Sequence, residues 1–362
     1  MGRPGREVDP RDAFASLRQG AVLIDVRDTP ELAAGAAQGS VHVSRCDLPA
    51  RIVTLVPDRA SPVLLICESG RRSLAAAEEL TALGYGNVGS VAGGMARWRR
   101  DGLPTSPPRV DAVLDWERYS RQLALPEVGE AGQRRLCEGR VLLIGAGGLG
   151  SPAALYLAAA GVGHLTIVDD DQVERSNLQR QVLHRDADTG SPKVQSALST
   201  LRALNPRVDA VGAAVRIDPS NARQLIAGHD VVIDGSDNFA TRYAVNDACV
   251  ALGIPNVHGA VFRFEGQVTV LWPARATRPG PCYRCLYPAP PPPELAPSCA
   301  EAGVLGVVPG VIGMLQAAEA LKVLLGIGDV LVGRLLQYDA LRGRFEEFDV
   351  ARDPQCRSCA PD

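Results

Sequence analysis

The stretch Val141–Gly150, VLLIGAGGLG, decides the architecture of this chain. Its apolar run reads as a buried strand, and Gly145, Gly147, Gly148 and Gly150 follow where that strand must turn into a helix. An alanine-rich run comes next, then HLTIVDDD, a second apolar run that ends in acids. Together they read as the strand–helix–strand opening of a dinucleotide-type fold. In such a loop the glycines allow a tight turn, close approach of a phosphate, and packing of the helix on the strand. Asp169 lies about twenty residues past the loop, where an acid binds ribose hydroxyls. Alone, this fingerprint serves an NAD enzyme as well as an ATP enzyme.

The surroundings favour ATP. Ser176 to Gln181, SNLQRQ, places Asn177 and Arg180 just beyond the ribose-binding acid. Lys193 follows in Ser191-Pro192-Lys193, and only two of the chain's 38 basic residues are lysines. Asp237 and Asn238 end a further apolar run, VVIDGSDN, where a carboxylate suits Mg²⁺. Arg121 sits in Arg118-Tyr119-Ser120-Arg121-Gln122. Hydride transfer has no use for this set, whereas displacement at a phosphate needs cations to offset the charge that builds there.

A second chemistry precedes the first. Val22–Val26 (VLIDV) and Val63–Ile66 (VLLI) read as buried parallel strands. Cys67 follows directly, in Cys67-Glu68-Ser69-Gly70-Arg71-Arg72-Ser73, ahead of an alanine-rich helix. A cysteine at a helix N-terminus meets backbone N–H groups that stabilise an anion and lower its pKa. Gly70 lets the loop curl, and Arg71 and Arg72 are expected to add positive potential. The fold class is therefore α/β with two domains: residues 1–106, a stiff proline-containing linker at 107–115, and residues 116–362.

Cys282, Cys285, Cys356 and Cys359 form two CxxC pairs. Four soft ligands with no open position suit a structural Zn²⁺ that ties the C-terminus to the middle of the domain. Cys299 stands alone after a segment with six prolines between Pro288 and Pro297. Cys46, Cys137 and Cys249 fall in no motif and read as packing residues. Val304–Leu325 reads as a buried helical segment broken at Pro309.

Composition removes other classes. With 46% hydrophobic and 22% charged residues in 362, a sizeable core is expected. A net charge of −3 gives a nucleic-acid partner no support. The uncharged stretch Val141–Val168 is interrupted by glycines and Pro152, so it reads as core rather than as a membrane span. The first residues, MGRPGREVDP, lead into no apolar run, which reads as no signal peptide and a cytoplasmic protein.

Two resemblances sharpen this reading. LIDVRDTPEL, CESGRRS and GGMARWRRDGLP resemble a single-domain rhodanese, which carries sulfane sulfur on the loop cysteine, here Cys67. Gly35–Ser40, GAAQGS, departs from the His-Ile-Pro often found there, a scaffold difference. From about Arg118 to Cys359 the chain resembles the adenylyltransferases that activate ubiquitin-like sulfur carriers. The motifs are RYSRQ, GAGGLGSP, DDDQVERSNLQRQ, SPK, DGSDN, FEGQVTV, PCYRC, SCAEAGVLG and CRSC.

This second resemblance implies that Asp169 binds the ATP ribose, Asn177, Arg180 and Lys193 hold the phosphates, and Asp237 binds Mg²⁺. It implies a homodimer in which Arg121 reaches the neighbouring site, and a role for Cys299 as an acceptor of the acyl group. The implied partners are a ubiquitin-like sulfur carrier, first that of molybdopterin synthase, then that of thiamine or tRNA thiolation. A cysteine desulfurase or thiosulfate is the implied sulfur donor. In the familiar fusions the rhodanese follows the adenylylating domain; here it precedes it. A docking-only rhodanese and an NAD oxidoreductase are the alternatives.

Overall fold

The computed structural model describes residues 6–28, 31–32, 35–106, 115–291 and 302–360. Cys299 and residues 107–114 of the expected linker lie outside them. The chain divides into two compact units, Met1–Asp115 and Trp116–Asp362.

The smaller unit is built on a parallel five-stranded sheet. Its order is Arg6–Val8, Val88–Val91, Val63–Ile66, Val22–Asp25, Val41–His42. Alternate residues of the central strands feed two cores. Ile24, Val63 and Leu65 pack with Ala76, Ala77 and Leu80 on one side, and Leu23, Leu64 and Ile66 with Met95 and Trp98 on the other. That is why the runs are apolar throughout instead of alternating. Where the His-Ile-Pro is missing, Ala36–Ala37 forms a short antiparallel ladder with Thr105–Ser106.

The larger unit carries an eight-stranded sheet. Five parallel strands run in the order Asp209–Ala213, His164–Val168, Arg140–Ile144, Val231–Asp234, Asn256–Phe262. Glu265–Leu271, Arg334–Asp339 and Arg344–Asp349 extend the sheet antiparallel. Val141 and Leu143 enter one core, while Leu142 and Ile144 enter the other. The uncharged stretch is thus strand, helix Gly150–Ala160 and strand, not a span. Sequence order reverses between Arg140–Ile144 and Val231–Asp234, and the loops leaving those neighbouring strands part to open a crevice.

One expectation fails. Val307–Leu325 is a single unbroken helix. Pro309 sits in its first turn, where a backbone N–H has no intrahelical partner to lose. By length and composition this helix could cross a membrane. Instead, its buried residues, among them Ile312, Gly313, Gln316 and Ala320, pack on helix Gly150–Ala160 and on strand Asn256–Phe262.

Candidate active site

A cleft of about 770 Å³ opens at the reversal point of the larger sheet. Gly145, Gly147, Gly148, Asp169, Arg180, Lys193 and Asp237 line it, so seven candidate residues from five separate motifs converge. Gly145 turns the chain out of its strand with φ +90, and a Cβ there would stand 3.1 Å from the Gly235 carbonyl oxygen. A Cβ on Gly150 would fall 1.8 Å from the Gly145 carbonyl oxygen, so helix and loop are packed backbone to backbone. The backbone at Gly147 is bare, with only the Gln181 amide within 4 Å of an added Cβ. A phosphate can therefore approach the loop amides closely.

Charge is distributed around this cradle. Asp169 accepts from the Ala146 N–H at 2.8 Å and from the Asp171 N–H at 2.9 Å, which ties it to the glycine loop. Burial raises its pKa above the ordinary carboxylate range, against the pull of Lys193 and these amides. Lys193, 6% exposed, is held by Asp171 at 2.7 Å. Arg180 donates to the Ser176 carbonyl at 3.1 Å. Asp237 is exposed and lines the cleft.

Two candidates stand apart. Asn177 is buried and accepts from the Glu174 N–H at 3.3 Å, outside the cleft lining. Arg121 is exposed on helix Trp116–Leu123 and does not line the cleft of its own chain.

Sequence reading passed over several lining residues. Asp171, the partner of Lys193, was hidden among three consecutive acids. Arg242 donates to the Ser236 carbonyl at 2.9 Å from the first turn of helix Phe239–Leu252. Tyr283 and Tyr287 form an aromatic wall, their centroids 5.0 Å apart. Their position inside and just after a CxxC pair was the available signal.

The four CxxC thiols converge within 4.8 Å of one another. Cys282–Cys356 and Cys285–Cys359 are 3.5 Å apart and Cys282–Cys285 is 3.9 Å. Tetrahedral zinc with Zn–S of about 2.3 Å requires sulfur–sulfur edges of about 3.8 Å. The set therefore fits a closed tetrathiolate site, and the separations are far too long for disulfides. The clamp anchors the aromatic wall: the Tyr283 N–H donates to Asn246 at 2.7 Å, and Arg284 and Ser358 both bind Asp247.

In the smaller unit, Cys67 sits at the end of its strand with no exposed surface. Its sulfur accepts from the Gly70 N–H at 3.2 Å and from the Ser73 N–H and hydroxyl at 3.4 Å each. Burial works against the thiolate, but the Ser73 hydroxyl and the amides of Ser73, Ser69 and Gly70 outweigh it and lower the pKa. Gly94 makes this compactness possible, since a Cβ there would lie 2.1 Å from the Cys67 carbonyl oxygen. The expected role of the arginines holds in part, for Arg72. Arg72 is bound by Glu31 at 2.6 Å and by Asp28 at 3.1 Å, and holds Glu31 at about 2. Cys67 is still among the charges that raise the Arg72 pKa, so Arg72 adds positive potential behind the loop amides and Ser73, while Arg71 is exposed.

Two outcomes follow from this geometry. The pH profile of Cys67 modification in the native protein, read by peptide mass, has its midpoint below that of the same cysteine in the unfolded chain, with reactivity lost as pH falls through it. Ser73→Ala moves that midpoint upward, because burial remains while a donor is lost. Purified protein carries one zinc per chain by elemental analysis, and Cys285→Ser loses it and lowers Tm by at least about 5 °C.

Comparison with known proteins agrees with both units. The ThiF family model matches residues 119–358 and the rhodanese-like domain model matches residues 10–101. Relatives include the sulfur carrier protein adenylyltransferase of Thermus thermophilus, 54% identical over 67% of this chain and 90% of that protein. They also include the Mycobacterium tuberculosis protein named "Probable adenylyltransferase/sulfurtransferase MoeZ", 52% identical over 68% of this chain and 64% of that protein. The structure of E. coli MccB with ATP shares the fold, with a TM-score of 0.58 at 22% identity over 67% of this chain and 74% of that one. The chain thus belongs to the ThiF family and carries a rhodanese-like domain ahead of its ThiF region.

Proposed function

We propose that the larger unit uses ATP to adenylylate the C-terminal glycine of a ubiquitin-like sulfur-carrier protein, and that a persulfide on Cys67 converts the adenylate into a thiocarboxylate. The molybdopterin synthase small subunit is the first carrier to test. The observation that carries this reading is the cleft at the sheet reversal, where a bare glycine loop, Lys193, Arg180 and Asp237 meet in a ThiF-family chain. The names of its relatives at 52–54% identity support it.

A free carboxylate is a poor electrophile, so the reaction begins by activating it. In this reading Asp169 holds the ribose, and the glycine-loop amides with Arg180 and Lys193 orient the phosphates. The carrier carboxylate displaces pyrophosphate at the α-phosphate. Asp237 would hold Mg²⁺, which when bound offsets charge on the phosphates. Lys193 leaves Asp171 or shares it when the anion arrives. The Cys67 persulfide then attacks the acyl carbon and AMP departs, leaving an acyl disulfide. A thiol reductant cleaves its S–S bond and releases the thiocarboxylate. One chain holding both sites raises the effective concentration of the sulfur donor.

A homodimer belongs to this reading, with Arg121 serving the neighbouring cleft. Val307 and Met314, 64% and 40% exposed, lie two turns apart on one helix, and Tyr156 is 57% exposed on the helix packed beside it. Exposed apolar side chains so grouped suit a protein partner. A second reading, a rhodanese-like unit used for docking alone, is favoured by one observation: Cys67 is fully enclosed.

Intact mass spectrometry of carriers incubated with Mg-ATP and a sulfur donor separates the two. Wild type is expected to yield thiocarboxylated carrier, and Cys67→Ala adenylate only. Equal thiocarboxylate from both proteins would assign the smaller unit to docking.

A further inference from the structure

Strand Val231–Asp234 ends in a carboxylate that has no part in the reaction above. Asp234 is 1% exposed, and His258, directly opposite on the next strand, is also 1% exposed. Burying an ionised carboxylate is strongly unfavourable unless donors surround it. Here they do. One oxygen accepts from the Ser236 N–H at 3.0 Å and from the Ser236 hydroxyl at 2.6 Å. The other faces His258 Nδ1 at 3.2 Å. The main-chain oxygen of Asp234 accepts from Gln316 at 2.8 Å.

The charge states follow from these contacts. Burial opposes the negative charge on Asp234, but His258, Arg242 and Ser236 outweigh it and hold the pKa below the usual range. Burial keeps His258 neutral. Its single ring proton then belongs on Nδ1, facing Asp234. That choice leaves Nε2 buried without a partner among the described residues, with the Tyr283 ring centroid 4.9 Å from that of His258. The fold accepts an unpaired acceptor in order to keep the bond to Asp234.

The effect falls on one turn. Ser236 is gripped by Asp234 through its N–H and hydroxyl, and by Arg242 through its carbonyl, at 3.3 and 2.9 Å. Gly235 before it donates to the Ile144 carbonyl at 3.0 Å and closes against Gly145. Asp237 comes next and is exposed on the cleft. The residues leading to that carboxylate are fixed, while the carboxylate itself is exposed on the cleft and takes one long contact, from the Asn238 amide at 3.4 Å.

We infer that Asp234 is a positioning residue which, backed by His258, locks the Ser236 turn so that Asp237 meets the divalent cation of a nucleoside triphosphate in one orientation. This rests on the reading of Asp237 as the cation ligand. Asp234 acts through Ser236 and touches no reacting atom.

Calorimetry of ATP binding to the full chain without carrier, at graded Mg²⁺, tests it free of turnover. Asp234→Asn and Ser236→Ala are expected to raise the Mg²⁺ concentration at half-effect by at least about fivefold, the loss of one to two hydrogen bonds. Metal-free ATP binding is expected to stay within about twofold of wild type on the same grounds. Ser236→Ala keeps the backbone bond to Asp234, so it remains informative should Asp234→Asn fold poorly. Asp237→Asn is the reference variant. If it abolishes the Mg²⁺ effect while the other two variants leave the midpoint unchanged, the positioning role is overturned and the reading of Asp237 stands. An equal loss of ATP binding with and without Mg²⁺ in those two variants overturns it as well, by marking a purely structural role. If Asp237→Asn itself leaves the Mg²⁺ effect intact, the reading of Asp237 fails and the inference falls with it.

Discussion

Both units depend on a sheet whose central parallel strands are buried on both faces. Such strands must be apolar along their length, so polar and reactive side chains are confined to the strand ends. Cys67 follows Ile66 directly, the glycine loop follows Ile144, and Asp169 follows Val168. Asp234 and Asp237 stand at the end of the strand beside the glycine loop. The helices that begin at Arg71 and Gly150 then turn their free N–H groups toward an anion, a thiolate in one unit and, in the proposed function, a phosphate in the other. One architectural constraint thus gives two anion sites with different chemistry.

The sites differ in what opposes the negative charge. Around Cys67, Arg72 is already partnered by Glu31 and Asp28 and Arg99 by Glu68, and neutral donors are the main stabilisers of the sulfur. In the cleft, Lys193 is buried beside an acid that a phosphate could replace. A weakly solvated sulfur anion needs few formal charges, whereas a triphosphate needs several. The four-cysteine cluster serves the second site mechanically, by fixing the segment that presents Tyr283 and Tyr287 to the cleft.

Most of the scaffold was legible because its signals are local. Apolar runs ending in glycine or cysteine marked the strands, and two CxxC pairs marked the clamp. The pairing of Lys193 with Asp171, of Arg72 with Glu31 and of Asp234 with His258 was not legible. These contacts join residues 22, 41 and 24 positions apart, and only the tertiary fold brings them together. Pro309 misled for a related reason. A proline breaks a helix only where a hydrogen bond is lost, and the helix start two residues earlier could not be read from composition. Cys299 lies outside the described residues.

The central claim is that this cleft joins ATP to a protein carboxylate. Exchange of labelled pyrophosphate into ATP tests it most directly, measured with a candidate carrier, with that carrier lacking its last glycine, and without carrier. The account predicts exchange with the intact carrier alone, and its loss in Asp237→Asn. Exchange independent of any carrier carboxylate, or tight NADH binding with no exchange under any condition, would contradict it.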